Sequence, residues 1–301
     1  MTPELSVVIV TFHSREELAV CLESLDLAAT MPHECIVIDN ASGDGTVEWL
    51  RAHRPEVRVI ENADNLGFAR AVNQGLEQAT GETVLLLNPD SRVTKEGIER
   101  LLETLRDDRS LAAAAPMLRD DHGEPARSCG RDASLWTLFC EHLGLAAAFP
   151  HLPAFAGYKY GGVPLQRLRN VGWASGAALL MARHALERVG GLDGGYFMYM
   201  EEVDWCRRAR RAGLRVRFVP EVWFVHSGQH AAPHAAGRTY LYNLHSRVRY
   251  FRKHHGPLAA TTAKGILALS LAIKWGCARL GDARAGDPGV YARGLEAVWA
   301  A

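Results

Sequence analysis

The feature that most constrains this chain is an alternation that fills its first 115 residues. Short apolar runs at 7–12, 35–39, 57–61, 83–87 and 111–115 are separated by stretches 16–27, 46–53, 69–79 and 97–106, whose apolar residues recur at helical spacing. Strand and helix in regular turn predict an α/β fold, a mostly parallel sheet covered by helices on both faces. Ligands of such sheets gather outside the carboxyl ends of the strands. The polar residues concentrate there: Thr11 and His13, then Asp39, Asn40 and Ser42, then Asn62 to Asn65, then Asn88 and Asp90.

Further on the pattern changes. Residues 117–170 loosen into Gly, Pro and mixed aromatics, expected to be an insertion or acceptor-side region over the site. Gly172-Trp173-Ala174-Ser175-Gly176-Ala177 then leads into an apolar run at 178–182, and two short strands are expected at 216–219 and 222–225. A basic helix at 240–253 and an Ala/Leu-rich helix at 258–280 follow, so the expected organisation is a domain over 1–230 with a helical extension over 231–301. A chain of 301 residues buries a proper core. With 34 Lys and Arg against 34 Asp and Glu it has no global field to attract nucleic acid, which is not an expected partner. The six cysteines include no CxxC pair and read as core thiols of a reducing compartment. The first strand begins almost at once, so no signal peptide is expected and the expected location is the cytoplasm. Lys264, Lys274 and Arg279 argue against a membrane span at 258–280. Arg247, Arg249, Arg252 and Lys253 suit either a solvated helix or peripheral contact with an anionic membrane face through the C-terminal helices. Nothing in the sequence indicates an oligomeric state.

Four groups of residues carry chemistry. Leu85-Leu86-Leu87-Asn88-Pro89-Asp90 is a buried-type strand ending on an acid. One carboxylate there, with an amide two residues earlier, can anchor Mg2+ or Mn2+ bound to a nucleotide diphosphate, because phosphate oxygens and water complete the shell. A plain Pro-Asp turn accounts for the same residues equally well. His226, closing the run Val222-Trp223-Phe224-Val225, reads as a neutral imidazole ligand or as a hydrogen-bonded surface histidine, with His230 and His234 close by. In Glu201-Glu202-Val203-Asp204, helical spacing puts Glu201 and Asp204 on one face and turns Glu202 about 100° away beside Cys206. Asp204 suits an ion pair with Arg207 or Arg208. The two glutamates follow Phe197, Met198, Tyr199 and Met200, and partial desolvation raises a carboxyl toward the range of a general base. Asn65, Gly67 and Arg70 open a helix, which suits a phosphate-bearing ligand or an ordinary cap.

The ordered set Ser6-Val7-Val8-Ile9-Val10-Thr11-Phe12, Ile38-Asp39-Asn40-Ala41-Ser42, Asn65-Leu66-Gly67-Phe68, Leu87-Asn88-Pro89-Asp90, Gly172-Trp173-Ala174-Ser175-Gly176-Ala177, Gly191-Leu192-Asp193, Tyr199 to Asp204 and Val225-His226 resembles the inverting glycosyltransferases of family 2, in their rhamnosyltransferase-like branch. The resemblance implies a GT-A fold, a Rossmann-like nucleotide-sugar-binding sheet followed here by C-terminal helices. It implies that Asp39 meets the nucleotide base or ribose, helped by Thr11 and Ser42, with Asn65, Gly67, Arg70 and Asn88 also on the nucleotide sugar. It assigns Mg2+ or Mn2+ to Asp90 and His226, the acceptor to Trp173, Gly176 and Asp204, and the catalytic base to Glu202, with Glu201 as the alternative. Asn88 and Glu202 each stand where the family has an aspartate. The implied reaction is inverting sugar transfer in cell-surface polysaccharide synthesis, from dTDP-L-rhamnose to a glycan or a polyprenyl-diphosphate-linked acceptor. The alternatives are a galactofuranosyl or other UDP-hexose transferase and a degenerate nucleotide-sugar-binding domain.

Overall fold

The computed structural model describes residues 3–160, 163–167, 169–228, 233–280 and 287–300, with the backbone alone at 233–236. The chain divides into two compact units, one of residues 1–130, 164–197 and 201–230, the other of 131–163, 198–200 and 231–301.

The first unit starts with the expected alternation: β1 (Leu5–Thr11), α1 (Arg15–Ala28), β2 (His33–Asp39), α2 (Thr46–His53), β3 (Arg58–Glu61), α3 (Phe68–Gln78) and β4 (Thr83–Leu87). Next come β5 (Ser91–Arg92), α4 (Lys95–Asp107), β6 (Leu111–Arg119), β7 (Pro125–Ala126) and β8 (Cys129–Gly130). After the helices α5 (Leu135–His142) and α6 (Leu145–Ala148) of the other unit, β9 (Asn170–Val171), β10 (Trp173–Ala174), β11 (Ala178–Ala182), α7 (Arg183–Val189), α8 (Glu201–Arg211) and β12 (Arg215–His226) complete it. The main path of the sheet runs β3-β2-β1-β4-β11-β6-β12-β5. β1 pairs in parallel with both β2 and β4, and β11 reverses direction between β4 and β6. β1 and β4 are buried along nearly their whole length, as strands covered on both faces must be. α3 lies close on this sheet because Gly75 has no side chain; a Cβ there would stand 2.5 Å from Val8 Cγ1. Thr94 caps α4 by accepting from the Gly97 N–H.

Two sequence expectations need correction. The segments at 216–219 and 222–225 are one strand, β12, whose pairing with β6 shifts between Val219 and Trp223. Pro220 falls in that shift, where a residue without an N–H interrupts the ladder at least cost. β6 continues four residues past its expected end at Ala115, to Arg119.

The second unit is helical, with α5, α6, α9 (Pro233–His255), α10 (Pro257–Arg279) and α11 (Pro288–Ala300). Its core is built by Leu244, Val248 and Phe251 of α9, Leu267 and Leu271 of α10 and Val298 of α11. A capping box between Ser134 and Thr137 starts α5. Arg247 is buried against Glu141 at 3.3 Å and Asn243 at 2.8 Å. The helix expected at 240–253 is longer at both ends, and α11 was not anticipated. All six cysteines are free; Cys277 is exposed and the other five are buried. Burial pushes the thiols of Cys35, Cys129 and Cys206 up to about 12.

Burial, with the nearby positive charges of Arg247 and Lys274, pushes the His142 imidazole down to about 3 from its ordinary 6.5. The folded chain therefore refuses a proton that the unfolded chain accepts, so stability falls as pH drops from 6.5 toward 3. Urea unfolding of His142→Leu is expected to show a flatter loss of stability over that window than the unaltered chain.

Candidate active site

The polar ends of the first two strands form one part of the site. Thr11 and Asp39 are register partners at the ends of β1 and β2, and both are buried. Asp39 Oδ2 accepts the Ser42 N–H at 3.0 Å, and Ser42 Oγ accepts the His13 N–H at 3.0 Å. The turn that makes these bonds puts Ala41 and His13 in left-handed backbone, at φ 66° and 53°, a conformation that costs a non-glycine residue energy. Asp39 Oδ1 and Thr11 Oγ1 are buried with no hydrogen-bond partner among the described residues. Buried polar atoms are nearly always satisfied, so these two are suited to a ligand.

Asn40, placed by the sequence among the polar residues at the strand ends but given no role there, organises this corner. Asn40 donates to Asn65 Oδ1 at 2.8 Å, while its own Oδ1 accepts from Asn62 Nδ2 and from the Leu66 N–H. Its one signal is a cluster of asparagines at three successive chain turns. Asn65 also accepts the Gly67 N–H at 2.9 Å. Gly67 takes φ 82°, and a Cβ on it would stand 2.6 Å from Phe197 O, which accepts the Phe68 N–H. Asn65 and Gly67 thus shape the start of α3. Arg70 is exposed, with Nε donating to Gly194 O at 3.0 Å.

Asp90 and His226 are 136 positions apart and meet through the two-residue strand β5, whose Ser91 is the register partner of His226. His226 Nε2 lies 3.3 Å from Asp90 Oδ1 and 3.1 Å from Asn88 Nδ2. Burial opposes ionisation of Asp90. The hydrogen bond and charge of His226 and the Gly228 N–H outweigh it and hold the carboxyl below the usual range. Among the described residues no group of three His, Cys, Asp or Glu side chains converges. A carboxylate and an imidazole side by side fit a divalent cation that takes its remaining ligands from phosphate and water. His230 and the side chain of His234 lie outside the described residues.

The glutamate pair opens α8, after Tyr199 and Met200 at φ 69° and 68°. Glu201 is 5% exposed, and its Oε2 has no hydrogen-bond partner among the described residues. Desolvation, then the charge of Glu202, raises its carboxyl well above 4.5. Glu202 is half-buried and stands beside Gly176, where a Cβ would come within 3.7 Å of Glu202 Cβ and 3.6 Å of the Phe68 ring. The expected acceptor residues differ from this. Asp204 is fully buried and binds Arg208 at 2.8 Å, while that arginine also donates to Val189 O and Gly191 O. Trp173, on β10 opposite Gly130, is 3% exposed. Neither presents a surface to an acceptor, whereas Gly176 lies next to Glu202.

A mostly parallel sheet with β11 reversed at its centre, an acid and a histidine at its carboxyl edge and an acidic helix start are the parts of a GT-A glycosyltransferase, and the chain is such an enzyme. It belongs to glycosyl transferase family 2, whose model matches residues 6–207. It is 33% identical to an N-acetylglucosaminyl-diphospho-decaprenol L-rhamnosyltransferase of Mycobacterium tuberculosis, over 89% of this chain and 92% of that one. A dTDP-rhamnosyl transferase of Shigella flexneri is 24% identical over 78% of this chain and 76% of its own length. The fold resembles that of a solved mannosyltransferase from Pyrobaculum calidifontis in complex with GDP-Man and Mn2+. The match has a TM-score of 0.56 at 18% identity, covering 100% of this chain and 87% of the other.

A carboxyl raised by folding holds its proton more tightly in the folded chain, so stability falls as pH rises from 4.5 through the raised value. Glu201→Gln copies the neutral acid. Its urea midpoint is expected to equal that of the unaltered chain in mild acid and to exceed it in alkali.

Proposed function

We propose that this glycosyltransferase transfers L-rhamnose from dTDP-L-rhamnose, with inversion, to a hydroxyl of a glycan or a polyprenyl-diphosphate-linked sugar. The names of the Mycobacterium tuberculosis and Shigella flexneri relatives support the sugar, and the first supports a lipid-linked acceptor. A polyprenyl-linked acceptor stays in a membrane, so peripheral contact with its cytoplasmic face belongs to this reading.

The observation that carries the mechanism is the division of the glutamate pair. Glu201 is buried and its carboxyl is pushed up toward the neutral form, whereas the half-buried Glu202 stands beside the side-chain-free Gly176. Glu202 takes the proton of the acceptor hydroxyl as its oxygen bonds to the anomeric carbon. The bond from that carbon to the diphosphate breaks on the opposite face, and the diphosphate leaves with the electron pair, which inverts the centre. Glu201 positions the acceptor. Asp39 Oδ1 and Thr11 Oγ1 accept and donate to the nucleotide base, with Ser42 fixing the Asp39 carboxylate. Asp90 and His226 hold Mg2+ or Mn2+, with Asn88 against the imidazole. Bound there, the cation supplies positive charge to the departing diphosphate.

Incubation with Mn2+ and a panel of nucleotide sugars is expected to release free nucleoside diphosphate from dTDP-rhamnose alone. EDTA or Asp90→Ala is expected to abolish that release, and full activity in chelator would remove the cation from the mechanism. Glu202→Gln keeps the size and hydrogen bonding of the side chain but loses the basic oxygen. It is expected to lower kcat by roughly 10²–10⁴ while donor affinity by calorimetry stays within about twofold. Glu201→Gln is expected to act mainly on acceptor KM.

A further inference from the structure

The helical unit has a surface that sugar transfer does not use. Of the 34 Lys and Arg residues of the chain, twelve fall in this unit, against five of the 34 Asp and Glu. Within it, α10 buries one stripe, Ala260, Ala263, Leu267 and Leu271, each at most 2% exposed. The opposite stripe runs through Leu258, Thr262, Gly265, Leu269, Ile273 and Leu280, about 33 Å at helical rise, without a single charge. Its large side chains face solvent, Leu258 at 85%, Leu269 at 50%, Ile273 at 52% and Leu280 at 90%. A helix with water on its outer side ordinarily places charged residues there.

Lys264 and Lys274 lie off this stripe and are half-buried, Lys264 donating to Trp299 O at 3.2 Å, so the exposed charges sit at the two ends. Arg252 and Lys253 are exposed in the last turn of α9, just before Leu258. At the far end exposed Arg279 lies over the Trp275 ring at 5.0 Å, and Trp275 is itself 38% exposed. Cations and tryptophan at the rims of an apolar stripe are the residues that hold a helix at a membrane-water boundary. In length and hydropathy α10 would suffice for a span. Its inner stripe, however, is taken up by protein, and Ser270 Oγ donates to His142 O at 2.7 Å. The helix therefore lies along a surface rather than through it.

We propose that the outer face of α10 docks on an anionic lipid bilayer, the stripe from Leu258 to Leu280 entering the acyl boundary and Arg252, Lys253 and Arg279 meeting headgroup phosphates. A second copy of the chain is disfavoured as the occupant, since it would bring the same excess of positive charge to the contact. The inference deepens the proposed function, whose lipid-linked acceptor calls for such contact, but it uses none of the transfer residues and is tested without the reaction.

Sedimentation of the full chain with vesicles tests it. Binding is expected to vesicles of phosphatidylcholine mixed with phosphatidylglycerol, to be at least tenfold weaker with phosphatidylcholine alone, and to weaken with added salt. Leu269→Glu with Ile273→Glu is expected to weaken binding at least tenfold with circular dichroism and nucleoside diphosphate affinity unchanged. Arg252→Glu with Lys253→Glu is expected to weaken binding to the anionic vesicles at least fivefold, and Leu27→Glu, on the sheet unit, to leave it unchanged. The proposal is overturned if the chain stays in the supernatant with anionic vesicles or if both double variants bind as the unaltered chain does. It is equally overturned if light scattering shows a dimer that Leu269→Glu with Ile273→Glu splits while vesicles bind neither. Failure of rhamnose transfer would leave every one of these readings unaffected.

Discussion

Thr11 and Asp39 face each other because β1 and β2 pair in parallel and in register along their whole length. That pairing is what the catalytic half of the molecule depends on. β4 joins β1 from the other side in the same direction, so three strands end at one edge and deliver Thr11, Asp39 and, just past Leu87, Asn88 and Asp90 to the same place. Parallel strands need crossovers, and helices supply them, so the polar loops after the strands must collect at one edge. A slip of one residue between β1 and β2 would part Thr11 from Asp39 and turn the side chains of the slipped strand against the opposite helix layer, where they do not fit.

On that edge the ionisable groups are set in opposite directions. The Asp90 carboxyl is held below the usual range beside His226, as a cation and its phosphates require, while burial and then the charge of Glu202 push the Glu201 carboxyl well above it. Both shifts are imposed by surroundings, since the two acids are ordinary carboxyls in water. The Asp204–Arg208 pair has a mechanical part: Arg208 spans to two carbonyls of the chain before α8, Val189 O and Gly191 O, and so fixes where the helix starts.

The sequence was most readable where hydrophobic period is strong. The expected runs at 46–53 and 83–87 match α2 and β4 residue for residue. It was least readable where position depends on partners far away in the chain. β5 has two residues, too few for any periodicity, yet it brings Asp90 to His226. β12 looked like two strands because Pro220 breaks its pattern, and α11 carries two glycines that blur helical spacing. The ion pair of Asp204 with Arg208 was legible from the i,i+4 spacing, whereas the burial of Trp173 and Asp204, both also expected at the acceptor, was not, since a residue type does not reveal which polar or aromatic side chains the fold will bury. The Asn40 network is of the same kind, a set of amide contacts among three loops with no repeat to betray it.

The distribution of thiols makes the two units separately observable. Cys21, Cys35, Cys129 and Cys206 are sealed in the sheet unit and Cys140 in the helical one, and Cys277 on α10 is the exposed thiol of the native chain. Buried thiols kept protonated do not react with alkylating reagents, so each becomes reactive when its own unit opens. Counting mass increments on the intact chain over time therefore times the opening of sheet and helices in one experiment, with four increments belonging to the first and one to the second. Cys277, alkylated at once, serves as the internal clock.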